Sequence, residues 1–353
     1  MKLLILDCLE NWLPTGRDGV SGLLLASLLA LLLVGCEWSE STATLVNRRT
    51  KTPGDEGPIH VVATVGMVAD LVREVGGKRV SVTQLMGPGV DPHLYKGTRD
   101  DVRAIIAADL VFYSGLMLEG KVIDMLEKVG RKKPVIAVTD AIDQAALTTE
   151  GGDAAHPDPH VWMDVALWAQ GVHEITDGLR DYDKEGADAY RQAASIYLEK
   201  LMALDAYGKQ VIGTIPPEGR VLITSHDAFH YFGRAYGLEV FGVQGLSTDS
   251  EAGLRQINNL VDMIVDRKIS AVFVESSVPQ KSIMAVIDGA ASRGHRVVVG
   301  GELYSDAMGE RGTYEGTYVG MLDHNLTTVT RALGGVAPER GMQGLLKERQ
   351  GGA

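Results

Sequence analysis

The sequence contains almost no cysteine: Cys8 and Cys36 are the only two, and both lie within the first 36 of 353 residues. The chain after Cys36 can therefore form neither a disulfide framework nor a thiolate metal site. Aromatic residues are also scarce, at 6% of the chain. Glycine, in contrast, is frequent, with 42 residues, which is typical of an α/β protein with many tight turns between strands and helices.

Basic residues are outnumbered by acidic ones, 34 to 46, and the formal net charge is −12. Such a balance argues against a nucleic-acid partner, because phosphates are bound by lysine and arginine. No predicted strand is followed by a Gly-x-Gly-x-x-Gly turn, which argues against a Rossmann dehydrogenase. The sequence also has no His-Glu-x-x-His pair of the kind that zinc peptidases use.

The longest apolar run is short. Residues 22–35 read GLLLASLLALLLVG, about 14 residues, whereas a bilayer-spanning helix needs roughly 20. This length is typical of the apolar region of a signal peptide, and the Leu-Val-Gly-Cys end resembles the lipobox of bacterial lipoproteins. We therefore predict a signal peptide at 1–35, a lipidated Cys36 and a polar, lipid-anchored tether over 36–57. The acidic residues Asp7, Glu10 and Asp18 are unusual so early in a signal peptide, which leaves a start downstream of Met1 open.

From residue 59 onward, short β-rich runs alternate with helical patterns, which predicts an α/β fold with mainly parallel sheets. Two such halves flank a stretch over 184–212 with few helix breakers. A helix of about 29 residues would be about 43 Å long and would act as a rigid connector. We predict two lobes at 58–182 and 214–337, each a sheet flanked by helices, one long rigid linking helix at 183–213, and a loose tail at 338–353.

The tripeptide Asp-Pro-His occurs twice in the first half of the chain. Proline fixes its own φ and favours an extended conformation for the preceding aspartate, so each copy presents an imidazole with restricted orientation beside a carboxylate. Histidines held in this way are typical metal ligands. The candidates are His93 and His160 as ligands, with Asp91 and Asp158 as their supports.

The second half offers two further candidates at the ends of predicted strands. His226 follows the strand predicted at 221–224, and Asp306 follows the strand predicted at 297–300. Ligands of open α/β sheets bind at the carboxyl ends of strands. Three imidazoles and one carboxylate form a suitable ligand set for a divalent transition metal.

Seven blocks of sequence resemble, in order, the metal-binding lipoproteins of the zinc/manganese ABC importers, with the TroA-like branch closest. The blocks are GPGVDPHLYKGTRDD (87–101), HPDPHVWMD (156–164), TSHDAFHYFGRAYGLEV (224–240), QGLSTDSEAG (244–253), FVESSVPQK (273–281), GGELYSDAMG (300–309) and GTYVGMLDHN (316–325). The resemblance covers about 60–335. It implies two lobes joined by a long helix, with the metal in the cleft between them, held by His93, His160, His226 and Asp306.

The same resemblance implies a function and partners. The chain would be no enzyme but a solute-binding protein, held at the cell envelope or in the periplasm. It would be a monomer and would carry one ion per chain. It would deliver its ion to a membrane permease driven by a cytoplasmic ATPase. Glu251 lies in one of the shared blocks and is a candidate either for supporting the site or for facing the permease.

The identity of the metal stays open between Zn²⁺ and Mn²⁺. Manganese-dedicated members of the family often have glutamate at the position of His226, which favours zinc. Dedicated zinc members often carry a long histidine-rich loop, whereas residues 140–157 contain only His156. His156 and His230 are alternative ligands, and Glu275, at the end of a predicted strand, is a candidate for lining the cleft.

Two other functions remain as alternatives. A surface adhesin would be compatible with a lipoprotein, although the sequence contains no adhesive repeat. A metallohydrolase would need an open coordination position and a nearby general base, whereas four protein ligands close the site.

Overall fold

The computed structural model describes residues 50–52, 57–149 and 156–347. The predicted signal peptide, the lipidation site Cys36 and most of the predicted tether lie outside these residues. Within the described ranges, no helix is both long enough and apolar enough to cross a membrane.

Four parallel strands form the sheet of the first half, in the order β2-β1-β3-β4. The strands are β1 (Ile59–Ala63), β2 (Val80–Gln84), β3 (Leu110–Tyr113) and β4 (Val135–Ala137). The helices of this half are α1 (Gly66–Gly76), α2 (Arg99–Ala107) and α3 (Ile123–Gly130). The central strands β1 and β3 are apolar and buried apart from His60, which is exposed, and Tyr113, which is half-buried; parallel strands covered on both faces have this character.

Helix α2 begins at a capping box. The Thr98 hydroxyl accepts a hydrogen bond from the Asp101 N–H at 3.2 Å, and the Asp101 carboxylate accepts one from the Thr98 N–H at 2.6 Å. These two bonds satisfy donors that would otherwise have no partner at the start of the helix. The cap ends the loop that carries the first Asp-Pro-His tripeptide.

The chain between the two halves is helical, but it is divided into several helices. The stretch before the long helix forms two helices, α4 (Val165–Trp168) and α5 (Gly171–Tyr182). The interruption brings Gly171 against Val138, where a Cβ atom would lie only 2.5 Å from a Val138 methyl group. The long helix α6 (Ala187–Ile212) has 26 residues, or about 39 Å, after a short 3-10 turn at Lys184–Gly186.

The second half repeats the α/β order. Its strands are β5 (Val221–His226), β6 (Glu239–Gln244), β7 (Ala271–Glu275) and β8 (Val298–Leu303), with parallel pairs β5–β6 and β7–β8. Strand β5 also contacts β7. The helices are α7 (His230–Tyr236), α8 (Leu254–Asp266), α9 (Lys281–Ser292) and α10 (Tyr318–Ala332).

Helix α6 packs against α1 of the first half, α5 of the connection and α10 of the second half. Its buried face includes Tyr190, Tyr197, Leu201 and Leu204. The predicted fold class, parallel sheets flanked by helices with one long connecting helix, is confirmed.

We expected the tail from residue 338 to be loose, but the structure packs it as far as Lys347. Leu346 is buried, and the Met342 N–H donates to the Asp323 carboxylate at 2.9 Å. Asp323 is itself buried in α10, and a buried carboxylate needs such donors. Residues 348–353 lie outside the described ranges, and the lobe boundaries at 58–182, 183–213 and 214–337 stay predictions.

Candidate metal centre

The fold brings the four predicted ligands to one buried point. His226 is the last residue of β5, and Asp306 follows β8. His93 lies in the loop after β2, and His160 precedes a short 3-10 turn at Val161–Met163. Their potential ligand atoms all lie within 4.8 Å of one another. All four residues are buried.

Four of the distances between these atoms are close to those of a tetrahedral zinc site. His93 Nε2 lies 3.2 Å from His160 Nε2 and 3.7 Å from Asp306 Oδ2. Asp306 Oδ1 lies 3.4 Å from His160 Nε2, and Asp306 Oδ2 lies 3.2 Å from His226 Nε2. Metal–ligand bonds of about 2.0–2.1 Å in a tetrahedron place neighbouring ligand atoms about 3.3 Å apart. The cluster therefore surrounds a space of the right size for one such ion.

Several atoms that face this space lack hydrogen bonds. Among the described residues, no hydrogen-bond partner is found for His226 Nε2 or for either carboxylate oxygen of Asp306. The nearby imidazole nitrogens are close to these oxygens but do not have hydrogen-bonding geometry. A buried polar atom without a partner costs about 1–3 kcal/mol. One cation would satisfy all three atoms, so the residues present fit a divalent metal.

The two Asp-Pro-His tripeptides form the same local turn. In each copy, the aspartate Oδ1 accepts a hydrogen bond of 2.9 Å from the backbone N–H of the histidine. The copies then differ. Asp158 Oδ1 also lies 2.7 Å from His160 Nδ1 and so orients the ring, whereas Asp91 uses Oδ2 to accept a bond of 2.5 Å from the Thr248 hydroxyl.

Glu275 is the corresponding support of His226. It is the last residue of β7 and is buried. Its Oε2 lies 2.5 Å from His226 Nδ1, and its Oε1 accepts a bond of 2.9 Å from the His226 N–H. From the sequence we had placed Glu275 only as a candidate for lining the cleft. The available signal was that Glu275 and His226 both end strands of the same half.

The charges around the cluster divide the histidines into two kinds. Burial lowers the pKa of His93 to about 4. Burial would also lower the pKa of His160, but the carboxylates of Asp158 and Asp306 outweigh it and raise the pKa to about 9. The pKa of His226 is raised in the same way, against burial, by Glu275 and Asp306.

The pKa of Asp306 follows from the same charges. Burial would raise it, but the imidazoles of His226 and His160 hold it well below its usual value. Without a cation, the cluster therefore keeps His160 and His226 protonated around an ionised Asp306.

The remaining candidate residues lie away from these four ligand atoms. Glu251 is exposed, and its carboxylate lies 3.4 Å from Lys281 Nζ. His230 begins α7, with its Nε2 3.6 Å from Asp227 Oδ1, and His156 is exposed. The group of close metal-binding atoms found in the described ranges includes none of them. The roles proposed for Glu251 stay predictions.

Comparison with known proteins places the chain among metal-uptake proteins. A family model described as "Zinc-uptake complex component A periplasmic" matches residues 61–332. The manganese-binding lipoprotein MntA of Bacillus subtilis (strain 168) is 51% identical over 275 residues, which cover 78% of this chain and 90% of the relative. The zinc-binding protein TroA of Treponema pallidum (strain Nichols) is 44% identical over 284 residues, which cover 80% and 92%.

The fold is also similar to a solved structure. The periplasmic zinc-binding protein TroA from Treponema pallidum superposes with a TM-score of 0.77 at 44% identity. The match covers 78% of this chain and 99% of that one.

Proposed function

Because the chain belongs to the zinc-uptake complex component A family, we propose that it captures one Zn²⁺ or Mn²⁺ ion outside the cytoplasm and delivers it to an ABC permease. Members of this family are substrate-binding components of importers and not enzymes. The ion is therefore cargo. The observation that carries the proposal is the buried group of three imidazole nitrogens and one carboxylate at tetrahedral spacing.

The arrangement is suited to holding an ion and not to reacting with it. Catalytic zinc sites keep a position open for water or substrate, whereas here four side chains from both halves surround one point. Buried ligands exclude competing water and slow the loss of the ion. These features favour a binding protein over a hydrolase.

The donor set is compatible with both metals named for the relatives. Three imidazole nitrogens favour Zn²⁺ over Mn²⁺ by the general order of divalent affinities. Both oxygens of Asp306 face the cluster, since each lies within 3.4 Å of an imidazole nitrogen. A carboxylate that binds through both oxygens would raise the coordination number, as Mn²⁺ prefers. We therefore propose that the site takes either ion and binds zinc more tightly.

The location and the partners that we propose for this chain are those of the family. We propose that the chain is exported and anchored through a lipid on Cys36, as the apolar segment 22–35 and the lipoprotein name of the Bacillus relative support. It would act as a monomer that carries one ion to a permease and its cytoplasmic ATPase.

The proposal is tested by calorimetric titration of residues 37–353 with Zn²⁺ and Mn²⁺, alone and in competition. We expect one tight equivalent that is lost in His93→Ala and kept in His173→Ala, which removes an exposed histidine of α5. His226→Glu should reduce the preference for zinc. If neither ion binds saturably, the proposed function is wrong.

A further inference from the structure

The segment around His160 is fixed to the second half by buried hydrogen bonds. Three of these bonds cross from residues 158–162 to the second half. They are Tyr231 Oη to the Asp158 carbonyl at 2.9 Å, Trp162 Nε1 to the Ser305 carbonyl at 2.9 Å, and Tyr318 Oη to the Trp162 carbonyl at 2.8 Å. Breaking them would leave buried polar groups without partners, which is costly. These bonds therefore hold the two halves together along this side of the site.

The segment around His93 meets the second half at the rim of the site instead. Its partner is the rim segment, which we define as residues 245–250. The Thr248 hydroxyl donates to Asp91 at 2.5 Å, and Lys121 Nζ lies 3.0 Å from Asp249 Oδ1. The side chains of this ion pair are 41% and 46% exposed, so solvent screens the pair and its rupture costs little.

Asp91 connects the rim segment to a ligand. One carboxylate oxygen accepts the Thr248 hydroxyl, and the other accepts the backbone N–H of His93. A movement of the rim segment is therefore transmitted directly to the backbone of His93.

His93 is also the least restrained of the three imidazoles. Asp158 holds the Nδ1 of His160, and Glu275 holds the Nδ1 of His226. Among the described residues, no carboxylate is found beside the Nδ1 of His93. Its side chain is 5% exposed, whereas those of His160 and His226 are 0% exposed. Of the three imidazoles, His93 is thus the one that retains some contact with solvent.

We propose that the metal enters and leaves past His93, and that the Thr248–Asp91 and Asp249–Lys121 contacts form a latch that controls this exchange. His160, His226 and Asp306 stay assembled while the latch opens. Thr248, Asp249 and Lys121 are positioning residues, since they act through Asp91 and the rim segment without contacting the ion. This inference rests on the proposed function.

The first test measures the rates of zinc exchange in residues 37–353 by stopped flow with a fluorescent chelator. Thr248→Val removes the bond to the Asp91 carboxylate, and we expect association and release both to become about tenfold faster. Lys121→Met should also make association and release faster, but by a smaller factor than Thr248→Val does. The matched control is Arg267→Met, which breaks the similarly exposed Arg267–Glu239 pair within the second half and should leave both rates unchanged.

A rise in the release rate alone would mean that Thr248 only strengthens the bond from His93, and it would overturn the latch. Unchanged rates in Thr248→Val would overturn it as well.

The second test locks the latch. Residues 37–353 contain no cysteine, so Lys121→Cys and Asp249→Cys can be joined by a short thiol-reactive crosslinker that a reductant cleaves. We expect the crosslink to slow both association and release, and reduction to restore both. Exchange that is as fast in the crosslinked protein as in the reduced one would overturn the latch.

The two proposals fail in different ways. If the unmodified protein binds one equivalent of zinc but its exchange is insensitive to these changes, only the latch is wrong. If the unmodified protein binds no zinc, both the proposed function and the latch are wrong.

Discussion

Glu275 and His226 form a buried pair that joins the ends of two neighbouring strands. One carboxylate oxygen lies 2.5 Å from the imidazole Nδ1, and the other accepts the backbone N–H of the same histidine at 2.9 Å. A single carboxylate therefore fixes both the backbone and the ring of His226. The ring's other nitrogen, Nε2, is left facing Asp306 and the centre of the cluster.

We predict that Glu275→Gln weakens zinc binding by about 10- to 100-fold and keeps the stoichiometry at one ion per chain. The amide retains the size of the side chain but loses the charge that makes the imidazole a stronger donor to the metal. Affinity is measured by competition with a chelator of known strength. Glu302→Gln changes an exposed glutamate of β8 and is the control. Equal affinities in Glu275→Gln and the parent protein would contradict this role.

We predict that zinc binding at pH 7 releases about two protons per ion. The raised pKa values of His160, about 9, and of His226 keep both rings protonated in the metal-free protein at this pH, and each must lose a proton to bind. His93 contributes none, because its pKa is lowered to about 4. The apparent affinity should therefore rise with pH. Calorimetry in buffers of different ionisation enthalpy counts the protons, and a value of zero would contradict the assigned charges.

We predict that Asp70→Asn stabilises the fold at neutral pH. Asp70 accepts hydrogen bonds from the Tyr197 hydroxyl at 3.0 Å and the Tyr318 N–H at 3.1 Å, but burial outweighs them and raises its pKa to about 6. An acid with a raised pKa in the folded state destabilises that state when ionised, so this penalty appears as the pH rises from about 4 to about 6 and is complete above it. The amide carries no such penalty.

The expected gain in the free energy of unfolding is about 1–3 kcal/mol at pH 8 and less at pH 4. Urea denaturation at both pH values measures it. Asp100→Asn, at an exposed position of α2, is the control. A gain that is equal at both pH values would show that Asp70 is not the titrating group.

The fold class could be predicted because the alternation of strands and helices is a local property of the sequence. The interruption between α4 and α5 could not, because the apolar pattern continues through it and the close approach of Gly171 to Val138 is a tertiary contact. The packed tail was missed for a similar reason. Its polar sequence carries no period, and its position depends on donors required by Asp323.

The site shows the same division between local and long-range information. The Asp-Pro-His turns are local, and the structure forms both of them with the same 2.9 Å bond. The pairing of Glu275 with His226 spans 49 residues and depends on β5 and β7 lying side by side. Sequence order alone does not fix which strands are neighbours. That the four clustered side chains act as ligands stays a prediction.

The most direct test of that prediction is zinc K-edge X-ray absorption on residues 37–353 loaded with one equivalent of zinc. The account predicts three imidazoles with Zn–N distances of about 2.0–2.1 Å and one carboxylate, without sulfur. His93→Ala, loaded at the higher zinc concentration that its weakened site requires, should lose one imidazole from the spectrum. A shell with fewer imidazoles in the parent protein, or a spectrum that His93→Ala leaves unchanged, would contradict the central claim that these four residues hold the ion.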